Sequence, residues 1–539
     1  MKTSRRIGVF IISALFVASC GGGGGGSSSS AKLTATDVSA GLNVNPNGFS
    51  FANFTAASSP EEFNADDVVK MFGLSKDVCV GGTTPCTLTA EAAAFARMVN
   101  ESRASGHCEG FAVTAQDRFS TGAQPSTVTL ENKGEVTHGL MRTFATQFLK
   151  EVTDDTQAWA AKSLKEKVAA LQESFAKKEA GYSLGVYSSM GGHAILPYAL
   201  EWVNEDVVKI KIYDSNWPGK DRYVTVDLKA DKWTFAYSGE DPANDPDMWS
   251  GGAADMDMTS VASRTSATCP FCSGKSNVEK TILVVRSAAL NWSVTTPGGV
   301  VRPGQNAPSG VSIRPVRSGA SDGVTTYMLA APSDEKLTFK LPSTTRVSGF
   351  TPTAAFQIAT DGSSEGTIDV TDSSVASSDP AAVLTLADGN LVASSNGTDN
   401  SITTTGESLA VELKTESGKS VSLDVTEETP AVEVRTGDNA SGSDYQVLAQ
   451  TDSNTIEQTN VDAGGKETTK TIDGQLDNTT SNQPLPDAIA SPKEKPGFIA
   501  AAERAFTGAP AAEGGTTNAS TAAGGASPPP LRPTASVPG

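Results

Sequence analysis

Apolar residues along this chain keep two different periods, and the change from one to the other sets its plan. Between residues 58 and 180 the spacing is helical. Ser59-Pro60-Glu61-Glu62 predicts a helix start, with a capping serine ahead of a proline at the first helical position. A second helix is expected after Thr89, from Ala90 to about Ser102. A long one follows from about Asp154, with Leu164, Val168, Leu171 and Phe175 on one face. From residue 182 the apolar positions alternate. They predict strands over Tyr182–Ser188, His193–Val203, Val207–Tyr213, Arg222–Leu228 and Lys232–Tyr237. Helices first and an antiparallel sheet afterwards is an α+β pattern, and it defines one domain over residues 36–245.

Beyond 245 the texture changes. Residues 246–279 read as a linker. From 280 to 373 come short β runs broken by Gly, Pro and Asn, such as Thr281–Val285, Leu290–Thr295 and Leu337–Leu341, a spacing that suits a β-sandwich. Residues 374–480 continue as hairpins, among them Leu409–Lys414 with Ser420–Val425. They are rich in Thr, Ser and Asp and poor in aromatics, which predicts a thin core. Residues 481–539 are so rich in Pro, Ala, Gly and Ser that no core is expected, and the tail reads as disordered.

The N-terminus sets the compartment. Lys2, Arg5 and Arg6 precede an apolar run, Ile7 to Phe16, too short to span a bilayer. Val17-Ala18-Ser19-Cys20 matches the bacterial lipobox, so residues 1–20 read as a lipoprotein signal peptide with Cys20 as the lipidated residue. Residues 21–35, opening on pure Gly and Ser, form a tether. The expected location is the bacterial cell envelope, held by the N-terminal lipid, at the outer membrane or cell surface if the cell has two membranes. A net charge of −19 argues against nucleic acid as a partner. With only three histidines, a multi-histidine metal site is nearly excluded, and no cofactor is implied.

Cysteine arithmetic isolates one residue. Of six cysteines, Cys20 is expected to carry lipid. Cys79 and Cys86 flank a short loop, Cys269 and Cys272 form a CxxC, and each pair can close locally in an oxidising compartment. Cys269-Pro270-Phe271-Cys272 also matches a glutaredoxin-type redox motif, but the Gly, Ser and Thr around it and the β runs after it favour a local disulfide. Cys108 remains as a lone thiol, in Gly106-His107-Cys108-Glu109-Gly110-Phe111-Ala112.

A thiol nucleophile must be deprotonated, and a free cysteine, with a pKa of about 8.5, is mostly neutral at physiological pH. Residues Glu109 to Phe119 predict a helix that would put the sulfur at its N-terminus. His107 adjoins Cys108 in sequence, so its side chain diverges from the thiol. His138 falls in a predicted surface loop with no carboxylate near it. His193 opens a strand after two glycines. A hairpin turning at Asn204-Glu205-Asp206 sets it opposite residue 217, so Asp214 or Asn216 can reach its ring. A carboxylate or amide orienting a histidine that faces a cysteine is the logic of a thiol triad.

These segments carry a resemblance. Gly-His-Cys-Glu-Gly-Phe-Ala resembles the nucleophile segment of papain-like and transglutaminase-like thiol enzymes. Gly191-Gly192-His193-Ala194 and Ile212-Tyr213-Asp214-Ser215-Asn216-Trp217-Pro218-Gly219 are similar to the His and Asp strands of bacterial members, double-glycine-leader cysteine peptidases among them. The resemblance covers roughly residues 60–240. It implies an α+β papain-like/transglutaminase-like domain, followed by an all-β sandwich-like region and the disordered tail. It also implies a membrane-anchored cysteine acyl-transfer enzyme, most simply a peptidase or amidase acting on an extracytoplasmic peptide, protein or cell-envelope substrate. Cys108 would be the nucleophile, His193 the proton carrier, and Asp214 the orienting group with Asn216 as its rival. The family's oxyanion glutamine has no counterpart between Ser102 and Gly106, leaving the Cys108 N–H and Asn100 as candidates. A transglutaminase-like cross-linker and a catalytically inactive binding or scaffold lipoprotein are the alternative readings.

Overall fold

The computed structural model describes residues 33–473, apart from 240–244, 246–247, 276, 321–324, 416, 437–442 and 453. The expected signal peptide with Cys20, most of the tether and the expected disordered tail lie outside the described residues. Among the described residues no helix is long and apolar enough to cross a membrane.

The helices lie mainly in the first third of the chain: α1 (Val44–Asn47), α2 (Ala65–Phe72), α3 (Ala90–Ser102), α4 (Cys108–Thr121), α5 (Glu135–Ala145), α6 (Lys150–Ala160), α7 (Leu164–Ala176) and the short α8 (Val261–Thr265). Three expectations need correction. Ser59 does not start a helix; its hydroxyl bonds the Glu61 carbonyl. α2 begins instead at Asn64, whose side chain caps Asp66 and Asp67 while Asp67 reaches back to the Asn64 N–H. The long helix expected from Asp154 is two helices. Ser163 and Glu166 form a second capping box that starts α7 afresh. His138 sits on α5, not in a loop. The Thr89 cap is as expected, its hydroxyl accepting from the Ala92 N–H at 3.2 Å.

Helices α4 and α7 pack on a nine-stranded sheet. Its strands are β1 (Val38–Ser39), β2 (Tyr182–Ser188), β3 (Gly191–Trp202), β4 (Val207–Tyr213), β5 (Arg222–Asp227), β6 (Lys232–Ala236), β7 (Met248–Gly251), β8 (Met256–Ser260) and the two-residue strand Gly319–Ala320. The spatial order is β7-β6-β5-β4-β3-β2-β8, with β1 and Gly319–Ala320 both paired to β3. Phe111, Leu171, Phe175, Leu184, Ile195, Ile210 and Trp233 are buried in the core between helices and sheet. The stretch read as a linker thus supplies two strands of this sheet and α8.

The remaining strands build an eight-stranded and an eleven-stranded sheet sharing one apolar core, with Leu283, Phe339, Ile358, Leu384 and Val411 in it. Residues on both sides of 373 contribute to both sheets. The larger sheet is covered twice. Thr345–Phe350 and Ala355–Thr360 are buried at every position, and Val284, Met328 and Phe350 on its outer face pack with Phe95 and Met98 of α3.

That packing overturns the fold class read from the sequence. The chain is not a papain-like α+β domain of helices then a sheet; it is mostly β, with 39% of the described residues in strands against 22% in helices. The reason is physical. A strand buried on both faces shows a continuous apolar run without alternation. Lys280–Ser287 has such a run, but Thr345–Phe350 and Ala355–Thr360 alternate like half-exposed strands, because their outer faces carry Arg346, Ser348 and Gln357, which pair with Glu101 and Arg97 of α3.

Candidate active site

Three elements carry the residues singled out in the sequence. Cys108 is the first residue of α4, and His107 before it makes no side-chain cap. The N–H groups of this first turn thus look outward, and that of Glu109 donates to the Arg317 carbonyl at 3.3 Å. His193 lies on β3, and Asp214 follows the last residue of β4. The β3–β4 hairpin keeps the expected register from Trp202–Val208 to Ala199–Lys211. A bulge between Pro197 and Ala199 then shifts it by one. The strand pairing ends at Leu196–Tyr213, which leaves Asp214 free to turn toward the imidazole.

His193 donates from Nε2 to Asp214 Oδ1 at 2.9 Å. The same oxygen accepts the Asn216 backbone N–H at 2.9 Å, so Asn216 braces Asp214 through its main chain. Arg222 Nε stands 3.8 Å from the other carboxylate oxygen. The Ala194 N–H donates to the Cys108 sulfur at 3.2 Å. Phe235 stacks on the imidazole at 5.9 Å and Tyr237 meets it edge-on at 5.4 Å, which fixes the ring plane. His193 Nδ1 has no hydrogen-bond partner of ordinary geometry among the described residues. Burial alone would push the His193 pKa down. The Asp214 carboxylate, and after it the Cys108 sulfur, outweigh that and hold it at about 10. All three side chains are fully buried.

The other histidines are elsewhere. His107 is buried with Nδ1 2.7 Å from the Phe54 carbonyl and Nε2 3.3 Å from Arg103. Burial, then Arg103, push its pKa down to about 3, so it is neutral. His138 pairs with Asp67 at 2.7 Å, contrary to the expectation of no nearby carboxylate. Asn100 is no oxyanion donor here: its side chain is spent on both main-chain groups of Phe63 and on Arg103. Cys79 is bonded to Cys86 and Cys269 to Cys272, while Cys108 is a free, buried thiol.

Five residues beside the thiol were missed. Asn53 accepts the His107 N–H at 2.7 Å and donates to the Ser318 carbonyl at 3.1 Å. Glu109 forms a buried ion cluster with Arg264 and Arg317, and Asp257 joins it from β8. Burial would raise the Glu109 pKa, but Arg317 and then Arg264 hold it down at about 2. The only available signal was Glu109 itself, an acidic residue in the apolar stretch after Cys108.

The chain matches no family model, and comparison with curated proteins and with solved structures finds no match for it either.

Proposed function

We propose that this chain is a cysteine acyl-transfer enzyme, most simply a peptidase or amidase. The single observation that carries the reading is the buried His193 ring, held by Asp214 at 2.9 Å and next in the chain to Ala194, whose N–H donates to the Cys108 sulfur. A protonated His193 gives a Cys108 thiolate a cationic neighbour, and the Ala194 N–H gives it a donor. In the reaction, Cys108 Sγ attacks an amide carbon, the carbon–nitrogen bond breaks, and the amine leaves with the proton from His193. Water, losing its proton to His193, then cleaves the thioester and restores the thiol. Asp214 holds the ring and stabilises its charge. Together with the lipobox, this reading gives an envelope-anchored enzyme for extracytoplasmic peptides.

The test is alkylation of Cys108 at neutral pH. Replacing His193 by Ala should slow it about tenfold or more, since it removes the cationic partner. Asp214→Ala should cost less, and Asn216→Ala less again because its brace is a main-chain N–H. Equal rates with and without His193 would sink the enzyme reading. A binding module is the second reading, and the complete burial of Cys108 is the observation that favours it.

A further inference from the structure

The thiol is closed off by the chain's own C-terminal half. The segment Val316–Gly319 lies across the start of α4 and along β3. Beyond Tyr213, β4 no longer pairs with β3, and Gly319 and Ala320 pair with Gly192 and Gly191. The segment's carbonyls take two donors that face the thiol's surroundings, Glu109 N–H on Arg317 O and Asn53 Nδ2 on Ser318 O. Gln147 accepts the Arg317 N–H at 3.0 Å.

Three glycines make room for it. A Cβ at Gly106, two residues before Cys108, would lie 2.3 Å from Ser318 O. One at Gly192, next to His193, would lie 3.0 Å from Val316 O. One at Gly185 would lie 2.7 Å from the Arg317 side chain. The Arg317 guanidinium fills a pocket that is fully buried. Nη1 bonds both Glu109 oxygens at 3.1 and 3.2 Å and the Thr259 hydroxyl at 3.0 Å. Nε meets the Tyr187 hydroxyl at 2.8 Å, and Nη2 pairs with Asp257. Without Arg317 the pocket still balances, because Glu109 keeps Arg264 and Asp257 keeps Arg314.

A free strand edge, N–H donors aimed at carbonyls and a side-chain pocket are what an extended peptide needs in order to dock. We propose that the groove beside Cys108 binds an extended peptide with an arginine in the pocket of Glu109, Asp257, Tyr187 and Thr259, and that Val316–Gly319 is the chain's own occupant of that groove. The inference rests on the acyl-transfer reading for what Cys108 does to such a peptide. It is independent of it for binding.

The experiment uses the full chain. Arg317→Ala should raise the alkylation rate of Cys108 about tenfold or more, and Gln147→Ala should raise it less. In a Cys108→Ala background, Arg317→Ala should bind a labelled Ala-Ala-Arg-Ala-Ala peptide at least tenfold more tightly than its citrulline counterpart, and the chain with Arg317 should bind neither. The proposal is overturned if folded Arg317→Ala is alkylated no faster, or if arginine and citrulline peptides bind alike. Should Arg317→Ala fail to fold, an unchanged rate in Gln147→Ala overturns it equally. Arginine-peptide binding without His193-dependent alkylation would refute the enzyme reading and keep this one; the converse result would refute this one alone.

Discussion

Glu109→Gln removes one negative charge from the buried cluster and changes almost nothing in shape. The carboxylate is held at a pKa of about 2 against an ordinary 4.5, despite burial, because Arg317 and Arg264 both contact it. That gap corresponds to about 3 kcal/mol of stability at neutral pH, which agrees with the usual loss on breaking a buried ion pair. Because the folded pKa lies below the unfolded one, the contribution is complete above pH 4.5 and disappears as the pH falls from 4.5 toward 2. Urea unfolding of both proteins at several pH values between 7 and 3 reads the effect directly. The variant should be about 3 kcal/mol less stable at pH 7, and the difference should shrink steadily below pH 4.5. A difference under about 1 kcal/mol at pH 7, or one that stays constant with pH, would refute the reasoning.

Peptide mapping without reduction should find Cys79 joined to Cys86, Cys269 joined to Cys272, and Cys108 unpaired; any bridge to Cys108 removes the nucleophile. Cys20→Ser should shift the protein out of the membrane fraction or block its processing, and unchanged partitioning would end the lipoprotein reading. Gly110→Ala would put a Cβ 2.2 Å from the Leu140 carbonyl, forcing α4 and α5 apart. A loss of about 1–3 kcal/mol in thermal or urea unfolding is expected, and an unchanged midpoint would contradict that close approach.

What could be read from the sequence was local. The strands Tyr182–Ser188, Val207–Tyr213 and Ser420–Val425 have the bounds their alternation predicts. Asp214 reaches the His193 ring, the pairing the hairpin register suggested, and Cys108 opens α4 and accepts from the Ala194 N–H. What escaped was set at a distance. The bulge at Pro197 depends on how β3 bends, not on a residue pattern. Arg317 lies 208 residues from Glu109, and nothing near it in the chain marks it as a partner. The fold class failed for the same cause, since α3 hides against strands that come some two hundred residues later.

The groove is finished by residues far apart in the chain: Asn53 and Ser318, 265 residues apart, meet beside His107, the residue before the thiol. During synthesis Cys108, His193 and Asp214 emerge long before Arg317. Contacts of such high sequence separation form late, because loop closure must precede them. A chain stopped near residue 245 would also lack Asp257, Arg264 and Arg317, leaving Glu109 without any of its cations. The first half is thus not a free-standing module: its buried carboxylate is neutralised only by cations supplied from further along the chain.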